Sequence, residues 1–414
     1  MLFHRRDRQD RDHARHVGLA EFERAHFGPE AGGRHERDYE GLKVGGPAGA
    51  CASRLQRPQI PLAVPCRNPG ARIGRGGSVK LKSFVAALAA FVALAAPRAA
   101  LALDKVSFAT NWLAEAEHGG FYQAVADGTY AKYGLEVKIV PGGPQANNRL
   151  LLVSGKVDFF MGANMIQALD AVKEGVPTLA VASMFQKDPI IYMSHPGVGL
   201  DKIDDLKKAS AYFVGKDNLV TVFQWAKQTY GFKEEKVKPY SFNPAPFLAD
   251  KMSVQQGYLT SEPYEVEKQG GFKPNVFLVA DFGYDSYSTT IETRADTIAK
   301  KPDLVQRFVD ASAIGWYNYL YGDNKAANAL IKKDNPEISD GQIAFSIAKM
   351  KEYGIVDSGD SLKAGIGAMT DARMKSFFDK MVKAGVVDAK VDYKKSYTLQ
   401  FVNKGVGVDL RPKP

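Results

Sequence analysis

Residues 104–143 read DKVSFATNWLAEAEHGGFYQAVADGTYAKYGLEVKIVPGG, and this stretch decides the fold. Lys105–Ala109 is a short β-type run with β-branched and aromatic side chains. From about Glu117 to Tyr133 the spacing becomes helical, with Phe121, Val125 and Tyr133 near one face. Leu135–Val140 is extended again, and Gly142-Gly143-Pro144 then turns the chain into a helix carrying Leu150 and Val153. Strand, helix and strand in that order form a βαβ unit, which predicts a parallel sheet with helices on its faces.

The same alternation continues downstream. Asp158–Met161 is a short buried-strand candidate, Ile166–Lys173 a helix and Thr178–Met184 a strand. It then restarts with strands at Ile190–Ser194, Ser210–Val214, Val237–Ser241, Gly257–Thr260 and Val276–Val279, and helices at Asp201–Lys208, Leu219–Tyr230 and near Pro246–Met252. After Ser286–Glu292 the pattern is nearly all helix. Pro302 suits a first helical position, and Leu304, Val305, Phe308, Val309, Ala311 and Trp316 make an apolar face. Two α/β units followed by helices suggest a chain that crosses between two lobes. A ligand would then sit in the cleft, where strand ends and helix N-termini converge.

Upstream, Lys80 and Lys82 precede an apolar run from Phe84 to Ala96, and Ala100-Leu101-Ala102 is a small-x-small cleavage pattern. Residues 79–102 therefore read as a secretory signal peptide with a mature chain from Leu103. The run is shorter than the roughly 20 residues a membrane span needs. No cysteine follows it to carry a lipid. Residues 1–78, rich in Arg, His, Gly and Pro, lack apolar periodicity. The expectation is that translation starts at Val79 and that 1–78 is a mis-assigned start; the alternative is a disordered extension.

Charge and cysteine narrow the function. The formal charge is +9. Residues 1–78 hold 13 Arg and one Lys against nine acidic residues, and Lys80, Lys82 and Arg98 add three more charges, which leaves +1 beyond residue 98. No nucleic-acid partner is implied. Both cysteines, Cys51 and Cys66, lie in the same leading segment. The rest of the chain therefore has no thiol for a disulfide, a thiolate metal site or a catalytic cysteine.

Asn111-Trp112, His118-Gly119-Gly120-Phe121-Tyr122 and Gly128-Thr129-Tyr130-Ala131-Lys132-Tyr133-Gly134-Leu135-Glu136-Val137 carry a more specific signal. Pro141-Gly142-Gly143, Leu152-Val153-Ser154-Gly155-Lys156-Val157-Asp158-Phe159, Val176-Pro177, Asp204-Asp205-Leu206-Lys207 and Lys301-Pro302-Asp303-Leu304-Val305 follow in order. Together they resemble the SsuA/THI5-like (NMT1/THI5-like) solute-binding family over essentially all of 103–414. The resemblance implies a type II periplasmic-binding fold, with two α/β lobes joined by a double-crossover hinge. Lobe 1 is expected at 103–193 plus 290–414, and lobe 2 at 194–289. It also implies a periplasmic, monomeric protein that hands a small molecule to the permease and ATPase of an ABC importer. No cofactor or metal is expected, and no membrane insertion once the signal is cleaved. Family members bind sulfonates, nitrate-like anions, thiamine pyrimidine precursors or flavins. Trp112 and the Gly-Gly-Pro loop resemble the pyrimidine and flavin branch.

Trp112 offers a stacking plate for a flat heterocycle, against a rim tryptophan packed on the next helix. Glu117 and His118 stand where Gly119 and Gly120 open a helix, so a ring nitrogen could be bound close to backbone amides. Gly142 and Gly143 could present N–H groups, though Gly-Gly-Pro is also an ordinary turn. Asn164 and Gln186 follow strand ends. Glu262 could accept from an exocyclic amino group and exclude anions, or merely complement a helix dipole. Tyr284 either stacks or rims the hinge. Arg149 is the nearby cation that could serve an anion.

An enzyme is not expected. One branch of the family makes a thiamine pyrimidine from pyridoxal phosphate and histidine with the help of a cysteine cluster, which this chain lacks beyond Cys66. P-loop, H-E-x-x-H, G-x-S-x-G and C-x-x-C patterns are also missing from the mature part. The expected function is capture of an aromatic heterocycle, thiamine-precursor-like or flavin-like, by hinge closure. The alternatives are a sulfonate or nitrate binder, or a synthase of the THI5 type.

Overall fold

The computed structural model describes residues 102–143 and 146–413. The expected signal peptide up to Leu101, the segment before it and Pro144 of the glycine turn lie outside the described residues. The described strands are β1 (Asp104–Ala109), β2 (Leu135–Val140), β3 (Phe159–Asn164), β4 (Thr178–Phe185), β5 (Ile190–Ser194), β6 (Tyr212–Val214), β7 (Val237–Pro239), β8 (Val254–Tyr258), β9 (Asn275–Leu278) and β10 (Ser288–Arg294).

They form two five-stranded sheets, ordered β2-β1-β3-β10-β4 and β7-β6-β8-β5-β9. In the first, β1 runs parallel to β2 and β3, while β10 runs antiparallel between β3 and β4. In the second, β6 is parallel to β7 and β8, and β5 is antiparallel to β8 and β9. All of β5 is buried, and β4 is buried at every position but Leu179. Strands covered on both faces read as continuous apolar runs, as these two do.

The pairing gives the path between the sheets. β4 ends in the first sheet at Phe185 and β5 starts in the second at Ile190; β9 leaves the second at Leu278 and β10 enters the first at Ser288. The chain thus crosses twice, at 186–189 and 279–287. The expected boundary at 193/194 instead cuts through β5, whose whole length pairs in the second sheet. Thr289, just past the second crossing at the start of β10, has φ 49°, a strained value for a β-branched residue.

The helix Pro302–Tyr321 covers the first sheet. Its Phe308 ring stacks on Phe159 of β3 at 4.1 Å and on Tyr130 at 5.4 Å. The expected face of Leu304, Val305, Phe308, Val309, Ala311 and Trp316 is buried.

Local expectations failed where a break residue or a buried polar residue hid the pattern. The single helix over 117–133 is three pieces: a 3-10 turn Ala116–His118, then Gly119–Ala126, then Thr129–Lys132. Gly128, at φ 73°, breaks it after Asp127. Val125 turns out to solvent and does not share the buried face of Phe121. The helix over 219–230 divides into Lys216–Leu219 and Val222–Tyr230. The strand expected at 257–260 is β8 at Val254–Tyr258, because Gln255 and Gln256, both buried, masked its start.

Candidate ligand-binding cleft

β1 delivers Thr110, Asn111 and Trp112 to the junction between the sheets. The backbone there is fixed tightly. Thr110 Oγ1 donates to the Trp112 carbonyl at 3.0 Å, and Asn148 Nδ2 donates to the Thr110 carbonyl at 2.9 Å. The Gly142 N–H donates to the Trp112 carbonyl at 3.0 Å and reaches Thr110 Oγ1 at 3.2 Å. A Cβ on Gly142 would come within 2.5 Å of the Thr110 carbonyl oxygen. Gly142 thus serves close backbone approach, and its N–H is committed internally instead of facing a ligand. The Gly143 carbonyl closes the turn, accepting from Ala146 N–H at 3.0 Å.

Trp112 is half-buried, and its ring meets Phe242 of the segment after β7, with centroids 4.7 Å apart and planes at 53°. Phe242 is followed by Tyr240 at 5.3 Å, so aromatic surface runs from one lobe onto the other.

Past Trp112, the turn Ala116–His118 buries Glu117 and His118 and leaves Glu115 half-buried at its start. Gly119 and Gly120 do not open this turn toward a ligand. A Cβ on Gly119 would fall 2.0 Å from the Tyr319 ring, and one on Gly120 would fall 2.2 Å from the Trp316 ring. These glycines let the two helices pack.

The second lobe contributes Glu262, the first residue of the helix Glu262–Gly270. Its Oε2 accepts the Tyr258 N–H at 2.7 Å and its Oε1 accepts the Tyr240 hydroxyl at 3.2 Å. The nearby Thr260 carbonyl accepts Gln342 Nε2 at 2.9 Å and Ser346 Oγ at 2.7 Å, both from the helix Asp340–Glu352.

Glu115, Glu117 and Glu262 share one electrostatic environment. Burial pushes Glu115 well above the usual carboxylate range, and Glu117 and Glu262 add to the effect. Burial likewise raises Glu117 from 4.5 to about 7; the Thr260 hydroxyl opposes that shift and Glu262 reinforces it. Burial also raises Glu262, against the hydrogen bonds it accepts. His118 is driven down to about 3 by burial and is neutral, with its Nδ1 buried and unpartnered. This arrangement suits a bound group that donates hydrogen bonds or carries positive charge. Among the described residues no group of three or more His, Cys, Asp or Glu could hold a metal ion. No helix among them is long and apolar enough to cross a membrane.

Three predicted residues belong to the hinge and its supports. Asn164 caps the helix Met165–Lys173 through Ile166 N–H at 3.1 Å and donates from Nδ2 to Asp188 Oδ2 at 3.2 Å. Asp188, in the first crossing, also accepts the Ile190 N–H at 3.2 Å, and burial raises it to about 7. Gln186 is buried, donating to the Ala368 carbonyl at 2.9 Å. Tyr284 is buried between Trp225 and Phe377, each 5.4 Å away edge-to-face. Arg149 pairs with Glu292, whose carboxylate is 1% exposed, and donates to the Gln167 carbonyl at 2.8 Å; it is a structural cation. The sequence reading missed Glu115, Asp188, Tyr240 and Phe242. Only Glu115 left a signal, as the first acid of the Glu115-Ala116-Glu117 pair.

The family model described as NMT1/THI5 like matches residues 115–327. The riboflavin-binding protein RibY of Chloroflexus aurantiacus is 26% identical over 330 residues, covering 77% of this chain and 91% of that protein. The 4-amino-5-hydroxymethyl-2-methylpyrimidine phosphate synthase of Schizosaccharomyces pombe is 29% identical over 228 residues, covering 51% of this chain and 64% of that one. Among solved structures, the aliphatic sulphonate binding protein SsuA from Escherichia coli superposes with a TM-score of 0.53 at 13% identity, covering 71% of this chain and 91% of that one. A Candida albicans protein with the generic periplasmic binding protein fold gives 0.51 at 15% identity, covering 72% and 96%. Two α/β lobes joined by two crossings are thus the periplasmic-binding fold, and the chain belongs to the NMT1/THI5-like family.

Proposed function

We propose that this chain is the solute-binding component of an ABC importer and captures a flat, hydrogen-bond-donating heterocycle of the flavin or aminopyrimidine class. The observation that carries this reading is the pairing of aromatic and acidic groups from both lobes at one junction. Trp112, Glu115 and Glu117 come from the first lobe, and Tyr240, Phe242 and Glu262 from the second. A ring stacked on Trp112, with amino, imide or hydroxyl donors turned to the carboxylates, offsets the burial that raises their pKa values. Contacts to both lobes favour the closed arrangement; contacts to one lobe alone do not. The likeness to RibY over most of its length supports a flavin-sized ligand. The anion alternative loses support because Arg149 is held by Glu292.

The lobes are 103–185 with 288–414, and 190–278, with the crossings as hinge. Residues 79–102 are an export signal cleaved after Ala102, and the monomeric mature protein works in the periplasm with a permease and an ATPase. Capture without chemistry fits a chain with no cysteine beyond Cys66, although the likeness to pyrimidine phosphate synthases keeps catalysis a testable alternative.

A thermal-shift series tests this reading. The full chain is melted with riboflavin, a 4-aminopyrimidine, ethanesulfonate or nitrate, since a ligand specific to the folded state raises Tm once its concentration exceeds Kd. A shift with a heterocycle alone is expected. A shift with the anions alone would overturn the ligand class, and turnover of pyridoxal phosphate would overturn the non-catalytic reading.

A further inference from the structure

Phe242 combines three features that core packing does not explain. It is 54% exposed, although a phenylalanine is ordinarily buried. Its backbone sits at φ 61°, in the left-handed region that bulky residues avoid. Its ring touches Trp112, which belongs to the other lobe. Strained backbone in a segment that bears on a site is a recurring mark of a working part.

The geometry of the contact excludes one simple picture of binding. A flat ring sandwiched between two aromatic plates needs two successive carbon contact distances, so the outer rings stand about 7 Å apart. Trp112 and Phe242 are 4.7 Å apart and tilted, touching each other directly. Phe242 therefore caps Trp112 itself, as one of the tilted aromatic pairs that are favourable in their own right. Its neighbours allow movement of this one side chain. Tyr240 is anchored through its hydroxyl to Glu262, and Asn243 accepts the Ala245 N–H at 2.9 Å, so Phe242 lies on a short arch between two fixed points.

Building on the binding function proposed above, we propose that Phe242 is a movable jaw: it caps Trp112, swings off to admit a flat ligand, and then closes on the ligand's other face. The cap competes with the ligand for Trp112 and slows association. After closure, the same ring covers the ligand and slows release. Phe242 is thus a positioning and selectivity residue, favouring ligands thin enough to fit under it.

The molecule supplies its own reporter. Of its three tryptophans, Trp225 and Trp316 are buried, and Trp112 alone is partly open to solvent. In the full chain, Phe242→Ala should raise acrylamide quenching of tryptophan emission about twofold, while Phe242→Tyr, which keeps the ring, leaves it unchanged. Stopped-flow mixing with riboflavin should show association accelerated about threefold or more in Phe242→Ala, and dissociation accelerated further. Unchanged quenching overturns the cap, and raised quenching with unchanged association overturns the jaw. If riboflavin fails to bind the wild-type chain, the ligand class falls, and the quenching pair alone decides whether Phe242 caps Trp112. Phe242 is largely exposed, so the variants retain the fold.

Discussion

Gly257 lies directly beneath Glu262: a Cβ on Gly257 would fall 2.8 Å from both Cβ and Cγ of the glutamate. Real Cβ atoms do not approach that closely, so only glycine in β8 lets the Glu262 side chain fold back to its Tyr258 and Tyr240 partners. Gly257→Ala should dislodge the carboxylate and weaken riboflavin binding about tenfold, as Glu262→Gln should, by loss of a charged hydrogen-bond acceptor. Calorimetric titration of both variants checks this; a Gly257→Ala protein with unaltered affinity would separate Glu262 from the ligand.

Proton binding gives a second prediction. Glu117 rises from 4.5 to about 7 and Asp188 from 3.8 to about 7, so the folded chain retains protons that the unfolded chain has released. Their contribution to stability is therefore best at low pH and declines as pH climbs to about 7. His118, lowered from 6.5 to about 3, acts in the opposite sense, adding stability over that interval until it is fully present above 6.5. Denaturant unfolding between pH 6.5 and about 8 reads mainly the carboxylates, because only the last part of the His118 rise remains there, and stability should fall across that window. Glu117→Gln should shallow the fall, and an identical slope in that variant would contradict the account.

At the hinge, Asp188→Ala removes the acceptor of both the Ile190 N–H and the Asn164 amide. Leaving buried donors unpaired should cost about 1–3 kcal/mol. Urea unfolding reads it, and no loss would mean that water replaces the carboxylate.

The Arg149–Glu292 pair distinguishes a structural cation from a ligand-binding one. Gly162 makes room for Glu292, since a Cβ there would sit 2.1 Å from its carboxylate oxygen. Arg149→Ala strands a buried charge and should cost about 3–5 kcal/mol of stability. Riboflavin affinity, measured below the lowered Tm, should hold; a stable variant with lost binding would return Arg149 to the ligand site.

Strands bounded by glycine and proline were legible in sequence, as in β2 between Gly134 and Pro141 and β5 between Pro189 and Pro196. β8 was misplaced because Gln255 and Gln256 are buried without looking apolar, Gln256 accepting from the Gly215 N–H and from Asn218. Glycines misled most. Gly119, Gly120 and Gly142 looked like ligand-facing backbone, yet each admits a neighbouring ring or backbone segment that only the folded chain brings near. Phe242 lay in a stretch without periodicity, and its partner Trp112 belongs to the other lobe. The candidates Trp112, Glu117 and Glu262 came from positions just after a strand or at a helix start. Asp188 was not, because a single buried aspartate leaves no pattern.

The central claim is that one ligand bridges Trp112 on the first lobe and Glu262 on the second. Calorimetric titration of riboflavin into the full chain, Trp112→Ala and Glu262→Gln tests it most directly. Each substitution should weaken binding by about tenfold or more, since stacking and charged hydrogen bonds contribute on that scale. Undiminished affinity in either variant would contradict the account, because the ligand would then touch only one lobe of the proposed site.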